Sequence, residues 1–394
     1  MQMKKYKLGE ICENITDGEH RTVVDSPDGE YFLLSNKNIV DGKIVINTTT
    51  DRRIDKQTFE KINKRTKLEK NDVLISTVGT LGKLCIIEDN LNYTVQRSVG
   101  IIKPNQEKLK SIFLKYLLMT DSYQNLLKNT SKGAIQKCIF IDDLKSLELS
   151  IPDISTQKKI ASVLSSLDEK IALNRRINAR LEQMAKRLYD YWFVQFDFPN
   201  SDGKPYKSSG RKMVYNAELK REIPEGWKVK SFSDFFELGN GKDYRHLQSG
   251  KIPVYGSGGF MCGITDFLFD GKSVLFPRKG TLNNIMYKNE KFWTVNTMFY
   301  SKMKIQHSAI YVYYTAKQFD FSSLNTGTGV PSMTSVIIKG LPIIQPPQKI
   351  IDNFDCIVQS YYKKIHKNEQ ESAKLTALRD KLLPLLMNGQ VEII

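Results

Sequence analysis

Residues 73–82 read VLISTVGTLG, and about two hundred residues later 274–283 read VLFPRKGTLN. In each, an apolar run of strand character breaks into a G-T-L turn centred on Gly79 or Gly280. The matches continue in chain order. Thr94 and Val95 return as Thr294 and Val295, Thr130 and Gly133 as Thr326 and Gly329, and Gln157 opens a helical segment as Gln348 does. This is an internal duplication. Its unit of about 195 residues far exceeds a solenoid repeat of roughly 20–50, so each copy is expected to be a domain-sized module. Two similar modules on one chain suggest a pseudo-symmetric molecule that reads something two-sided.

A chain of 394 residues holds two such modules plus connecting elements, each large enough to bury a core. With 40% hydrophobic and 26% charged residues it is a folded chain rather than a disordered one. The 59 Lys and Arg against 43 Asp and Glu leave a net charge of +16, which favours a polyanionic partner. Basic surfaces also suit acidic membranes or acidic proteins, so charge alone favours nucleic acid without deciding it. No apolar run reaches the roughly 18 residues of a membrane span, and MQMKKYKLGE lacks the apolar core of a signal peptide. A cytoplasmic protein without membrane partners is expected.

Cys12, Cys85, Cys138, Cys262 and Cys356 are odd in number and form no C-x-x-C pair. They argue against a disulfide framework and a structural zinc site, and suit small core positions. None of the four His stands at ligand spacing from another, so no cofactor or metal site is expected on this chain.

The fold class expected is α+β. Module 1–150 shows short apolar runs at 31–35, 72–76 and 84–87 bounded by Gly, Asn and Asp, which read as strands and turns, and a helix is expected over 108–127. Module 227–345 repeats this texture around Val254, at 274–276 and at 292–295, with a helix over 308–319. An amphipathic segment follows each module, at 151–195 and 346–390. In the first, Ile160, Leu164, Leu167, Ile171, Leu181, Leu188 and Trp192 follow a three-four spacing, interrupted by Asn174 and Asn178. The second carries Ile351, Phe354, Val358, Tyr361, Ile365, Leu375, Leu378 and Leu382, with Asn368 as its polar break. The stripes should face each other as a long antiparallel coiled coil, about 57 Å in length. Pro152, Ser155 and Thr156 precede the first helix and Pro346 and Pro347 the second, so Ser at the N-cap or Pro at the first turn is expected to start them. Gly389 suits the second helix's end, and Pro384 should kink it or end its regular part. Residues 196–226 between the first helix and the second module, rich in Pro, Gly, Ser and Lys, read as a surface linker.

Templates for catalysis fail. GSGGFMCG at 256–263 lacks G-x-G-x-x-G spacing and reads as a mobile or close-approach loop. Gly271, Lys272 and Ser273 end like a phosphate loop, but Asp266 stands where its first glycine belongs. A nuclease can be assembled from Asp153, Asp168 and Lys170, although the last two flank the apolar seam, where charges ordinarily face solvent.

Loops at equivalent places in the two copies are the candidate DNA contacts. Ser76, Thr77, Thr80 and Lys83 surround Gly79, while Arg278, Lys279, Thr281 and Asn283 surround Gly280. Gln96, Arg97 and Ser98 stand against Asn296 and Thr297, and Ser131, Lys132, Gln136 and Lys137 against Thr326, Thr328 and Ser332. Lys242 and Arg245 add basic groups. Small residues let a backbone approach phosphate, and Arg, Gln and Asn offer paired donors and acceptors to base edges.

The order module, helix, module, helix, the string FDFPNSDGKPYKSSG from Phe196 running into IPEGWKV from Ile223, and the closing LLPLLMNGQVEI from Leu382 resemble the DNA specificity subunit of type I restriction and modification systems. The likeness covers essentially the whole chain, though the first module lacks the EGW that opens the second. It implies two target recognition domains, 1–150 and 227–345, each reading half of a split asymmetric site in double-stranded DNA, held apart by the helix pair. It also implies a non-catalytic chain that recruits two methyltransferase subunits and translocating restriction subunits. S-adenosylmethionine, ATP and magnesium would then belong to those partners. Two rival readings are a self-contained endonuclease and a coiled-coil scaffold that binds only proteins.

Overall fold

The computed structural model describes residues 2–88, 92–131, 137–327 and 329–393. The chain forms two compact units, Met1–Leu173 with Gln370–Ile394, and Asn174–Glu369. Each unit therefore contains one module and part of both long helices, instead of dividing where the helices begin.

Both units are mixed α/β and share a common core order, to which the first adds helices Lys56–Thr66 and Asp121–Thr130. In the first, strand Lys4–Lys7 pairs antiparallel with Glu148–Ile151, closing the module's two ends together. Between them lies a sheet in the order Cys12–Asp17, Val99–Pro104, Val73–Ser76, Leu84–Ile86, and strand Tyr31–Leu34 runs parallel to Tyr93–Val95. The second unit closes in the same way, Lys228–Ser231 against Pro342–Gln345. Its sheet runs Phe236–Asn240, Met298–Met303, Phe269–Pro277, Met286–Thr294, Ser249–Gly256, Gly259–Ile264, with Ser249–Gly256 parallel to Met286–Thr294. The missing EGW does not remove the closing strand pair from the first copy.

The run Val73, Leu74, Ile75 is continuously apolar because Val73–Ser76 is an interior strand buried at every position. Helix Ser111–Met119 buries Phe113, Leu114, Tyr116 and Leu117, and Ala309–Ala316 likewise buries Ile310, Tyr311, Val312 and Tyr314. The expected helix over 108–127 is broken. Thr120 leaves the helical region at ψ 148° and its hydroxyl donates to the Leu117 carbonyl at 2.8 Å, so a second helix starts at Asp121–Thr130. GSGGFMCG is a β-hairpin, and Gly271, Lys272 and Ser273 lie inside strand Phe269–Pro277, where Lys272 pairs with Asp355 at 2.8 Å. Burial pushes the Cys85 thiol up to about 12.

The long helices span Ile154–Tyr189 and Gln348–Met387. Asp153 caps the first, its carboxylate accepting from the Thr156 amide at 3.0 Å and hydroxyl at 2.9 Å, so neither Ser155 nor Thr156 is the cap. Gln157 and Gln348 have equivalent tasks: each side-chain amide donates to a carbonyl just ahead of its module's internal helix, Lys108 at 3.1 Å and Gln306 at 3.0 Å. Pro384 stays within the second helix. It lies close to the C-terminal end, and the buried Leu383, Leu386 and Met387 hold the last turn in place before Gly389 closes it at φ +70°.

Within the first unit, Ile160, Ala161 and Leu164 cluster with Leu383, Leu386 and Met387, and Asp168 meets Arg379. Within the second, Asn178 meets Ile365 and Asn368, and Tyr189, Trp192 and Phe193 cluster with Ile351, Phe354 and Val358. Partner numbers fall as those of the first helix rise, so the helices are antiparallel in both units. Asn174 and Asn368 are buried to 1% and 2% exposure in this seam, where the Asn368 amide donates to Asn178 Oδ1 at 2.8 Å. Leu378 does not face it, being 45% exposed.

Residues 196–226 are more than a tether. Phe196 and Phe198 are buried against Trp227, with ring centres 5.7 and 4.8 Å away, and Met213–Asn216 pairs with Arg221–Pro224. Asp197 accepts from the Ser208 amide at 2.7 Å, tying the segment's own fold together, while the rings on Trp227 hold it against the second module.

Candidate nucleic-acid interface

Gly79 and Gly280 adopt φ of +77° and +90°, a region glycine enters without penalty. A Cβ on Gly79 would lie 2.9 Å from Asn36 Nδ2, and one on Gly280 would lie 2.7 Å from Ser257 Oγ. In both units the turn is thus pressed onto the loop that leaves the parallel strand. The Thr77 amide donates to Ser98 O at 3.0 Å and the Arg278 amide to Thr297 O at 2.7 Å. The Ile139 amide returns to Thr77 O at 2.9 Å and the Met333 amide to Arg278 O at 2.8 Å, beside bridges pairing Val78 with Cys138 and Lys279 with Ser332. Three loops far apart in sequence therefore meet in each unit.

A fourth loop joins them. The Gly18 amide donates to Val99 O and the Gly241 amide to Met298 O, at 3.1 and 3.0 Å. A Cβ on either would approach the carbonyl of Val95 or Val295 to 2.1 or 2.0 Å. The next residue differs in charge, Glu19 in one unit and Lys242 in the other. Backbone geometry is kept while the tips change.

The candidates divide on burial. Thr80, Arg97, Lys137, Lys242, Arg245, Arg278, Lys279, Thr281, Asn296 and Thr326 are exposed, and Lys83, Gln96, Ser98, Ser131, Thr297 and Ser332 are half-buried. Ser76 and Thr77 are corrections. At 0% and 2% exposure they cannot reach a ligand. Ser76 Oγ donates to Thr80 O at 2.6 Å and accepts from the Lys83 amide at 2.8 Å, so it shapes the turn from beneath. Asn283 is exposed but occupied, its amide donating to Asp320 at 2.8 Å and to Ser322 at 3.0 Å while its oxygen accepts from the Ser322 amide. Lys132, Gln136, Thr328 and Gly133 lie outside the described residues.

The second unit holds a cleft of about 670 Å³ between the loop Asp243–Arg245, the hairpin tip at 256–261 and the floor Val295–Thr297. Hydrogen bonds from the Arg245 backbone and guanidinium keep the Asp243 carboxyl below the usual carboxylate range, and Arg245 stays 81% exposed. Arg278 lies 5.7 Å from the Phe299 ring centre. Lys288 is placed differently. Burial lowers its ammonium against the opposing pull of Glu290 and Glu369, and it lies 4.1 Å from the Tyr255 ring centre. Phe260 and Met261 at the hairpin tip were not among the candidates. Two adjacent apolar residues following a Gly-rich turn were the available signal, since on a regular strand two neighbours cannot both enter one core; a register shift falls at Met261, and both residues line the cleft.

The residues suggested for a nuclease are otherwise engaged. Asp153 caps a helix, and Asp168 accepts from Tyr116 Oη at 2.7 Å and from Arg379 at 2.8 Å. Fifteen residues of helix separate them by roughly 22 Å, too far to share a metal ion. Among the described residues no group of His, Cys, Asp and Glu is placed to hold a metal, and no helix is long and apolar enough to cross a membrane.

Two stretches, residues 2–183 and 224–377, match the sequence profile described as the type I restriction modification DNA specificity domain. The chain belongs to this family. Each match spans one module and much of the helix after it, so the specificity-domain profile repeats as the fold does. Among its relatives, the type I restriction enzyme MjaIX specificity subunit of Methanocaldococcus jannaschii is 26% identical, over 99% of this chain and 93% of its own length. The HindI specificity subunit of Haemophilus influenzae is 25% identical, over 82% and 87%. The crystal structure of the type I restriction-modification S subunit from M. genitalium superposes with a TM-score of 0.65 at 18% identity, over 98% of this chain and 96% of that one. That likeness places the specificity-family chain in the same fold.

Proposed function

We propose that this chain is the sequence-reading subunit of a type I restriction-modification complex and that its two modules each read one half of a bipartite, asymmetric DNA target. One observation carries the reading. The same backbone scaffold presents different tips in the two units: Glu19 against Lys242, Gln96 against Asn296, Val78 against Lys279. Two readers built alike and facing different sequences need that combination. The long helices act as an antiparallel coiled coil relating the modules by pseudo-two-fold symmetry, and their length sets the number of unread base pairs between half-sites. The chain performs no chemistry itself. Methyl transfer from S-adenosylmethionine belongs to two recruited methyltransferase chains, and ATP- and magnesium-dependent translocation and cutting belong to restriction chains.

Co-expression tests the division of labour. The chain should co-purify with two methyltransferase chains and direct methylation of its target, while the chain alone with Mg²⁺ should leave plasmid intact. Cutting by the chain alone would restore the nuclease reading.

Salt dependence tests the interface. Each phosphate neutralised contributes about 0.9 to the slope of log binding constant against log salt. Replacing Lys83, Arg278 and Lys279 together by Ala should therefore flatten that slope by up to about 2.7 if each meets one phosphate. An unchanged slope would remove these side chains from the phosphate surface. Asn296→Ala should instead alter base preference at one position, at a cost of about 1–3 kcal/mol.

A further inference from the structure

The hairpin Ser249–Gly256 and Gly259–Ile264 turns tightly, with Gly256 opposite Gly259, and Gly259–Ile264 is the edge of its sheet. Phe260 is 66% exposed and Met261 49% exposed, side by side at the tip. The tip is braced. Asn284 Nδ2 donates to Ser257 O at 2.8 Å, and Ser257 Oγ fills the space a Cβ on Gly280 would take. An apolar pair carried on a braced turn meets a ligand with a smaller ordering cost than one on an unsupported loop.

Its surroundings indicate which ligand. The pair lines the cleft that also holds Arg245 and Asn296, and Lys242, Arg278 and Lys279 belong to the loops around it. Asp243 is the acid of this cleft, and Arg245 engages it. A basic, amide-bearing rim around a small apolar tip suits DNA, whose major groove admits a two-stranded ribbon and offers one apolar group on its base edges, the thymine methyl.

Resting on the reading of this unit as a half-site reader, we propose that Phe260 and Met261 recognise a thymine methyl group in the half-site of the second module. The test uses the full chain assembled with its methyltransferase chains and duplexes carrying the mapped target. Each thymine of that half-site, on either strand, is replaced singly by uracil, which removes one methyl and preserves pairing. At one or two positions uracil should weaken binding about fourfold, the effect of exposing one methyl. The double variant F260A/M261A should bind the thymine duplex more weakly by a similar factor and no longer distinguish uracil there, while F260L/M261L should retain the discrimination. Uracil in the other half-site should act equally on all three proteins.

A half-site without thymine, indifference of the wild type to uracil, or discrimination that survives in F260A/M261A would each overturn the proposal. So would loss of methyltransferase co-purification in F260A/M261A with thymine discrimination intact, which would assign the pair to a protein contact. A wild-type complex with no sequence preference at all would instead defeat the specificity reading on which the proposal rests.

Discussion

A four-residue insertion after Arg176, matched by one after Asn368, is expected to lengthen the unread spacer of the DNA target by one to two base pairs and leave both half-sites unchanged. Four helical residues add roughly 6 Å of rise, against about 3.4 Å per base pair. Both insertions fall beside the polar layer where Asn174 and Asn178 meet Asn368. A single insertion should fail, because it shifts one apolar stripe against the other and separates Asn178 from Asn368. A buried amide left without its partner costs about 1–3 kcal/mol. For a unit of this size that is a fall in melting temperature of about 2–12 °C. The second insertion restores the register of the apolar stripes and the Asn178–Asn368 pair, as a matched stutter on both helices. Thermal unfolding of the three proteins and mapping of methylated sites read the two effects separately. Full methylation with an unaltered spacer in the double variant would show that the helices do not measure the distance.

Legibility followed the range of the interactions involved. The duplication, the long helices and the polar break at Asn174, Asn178 and Asn368 could be read because each rests on spacing along one segment. Gly79 and Gly280 were legible because left-handed backbone limits the residue choice. Burial within a loop was not legible. Ser76 and Thr77 have the composition of a phosphate-binding turn, yet they lie on the inner side of theirs, and only the return of Lys83 to Ser76 Oγ reveals it. The engagement of Asn283 was not legible for a related reason, since Asp320 and Ser322, which occupy its amide, are distant in sequence. The segment at 196–226 has linker composition, but a few aromatics suffice to dock it: Phe196, Phe198 and Trp227 outweigh the Gly, Ser and Lys around them. Phe260 and Met261 were missed because a Gly-rich turn drew attention to its glycines.

The central claim is that each module reads its own half of the target, and exchanging one module tests it most directly. The core formed by Phe32, Leu74 and Ile101 belongs entirely to residues 1–150. A second cluster joins this module to Ile160 and Leu164 of the first long helix, next to the hydrogen bond from Tyr116 to Asp168. Residues 1–150 should therefore be replaceable by the first module of another family member that keeps a tyrosine at the position of Tyr116. The measurement is a genome-wide methylation map in cells expressing the chimera with the methyltransferase chains of this system. The first half of the methylated motif should change completely, while the second half and the spacer length stay as in the parent. If both halves change together, or neither does, the two modules are not independent readers.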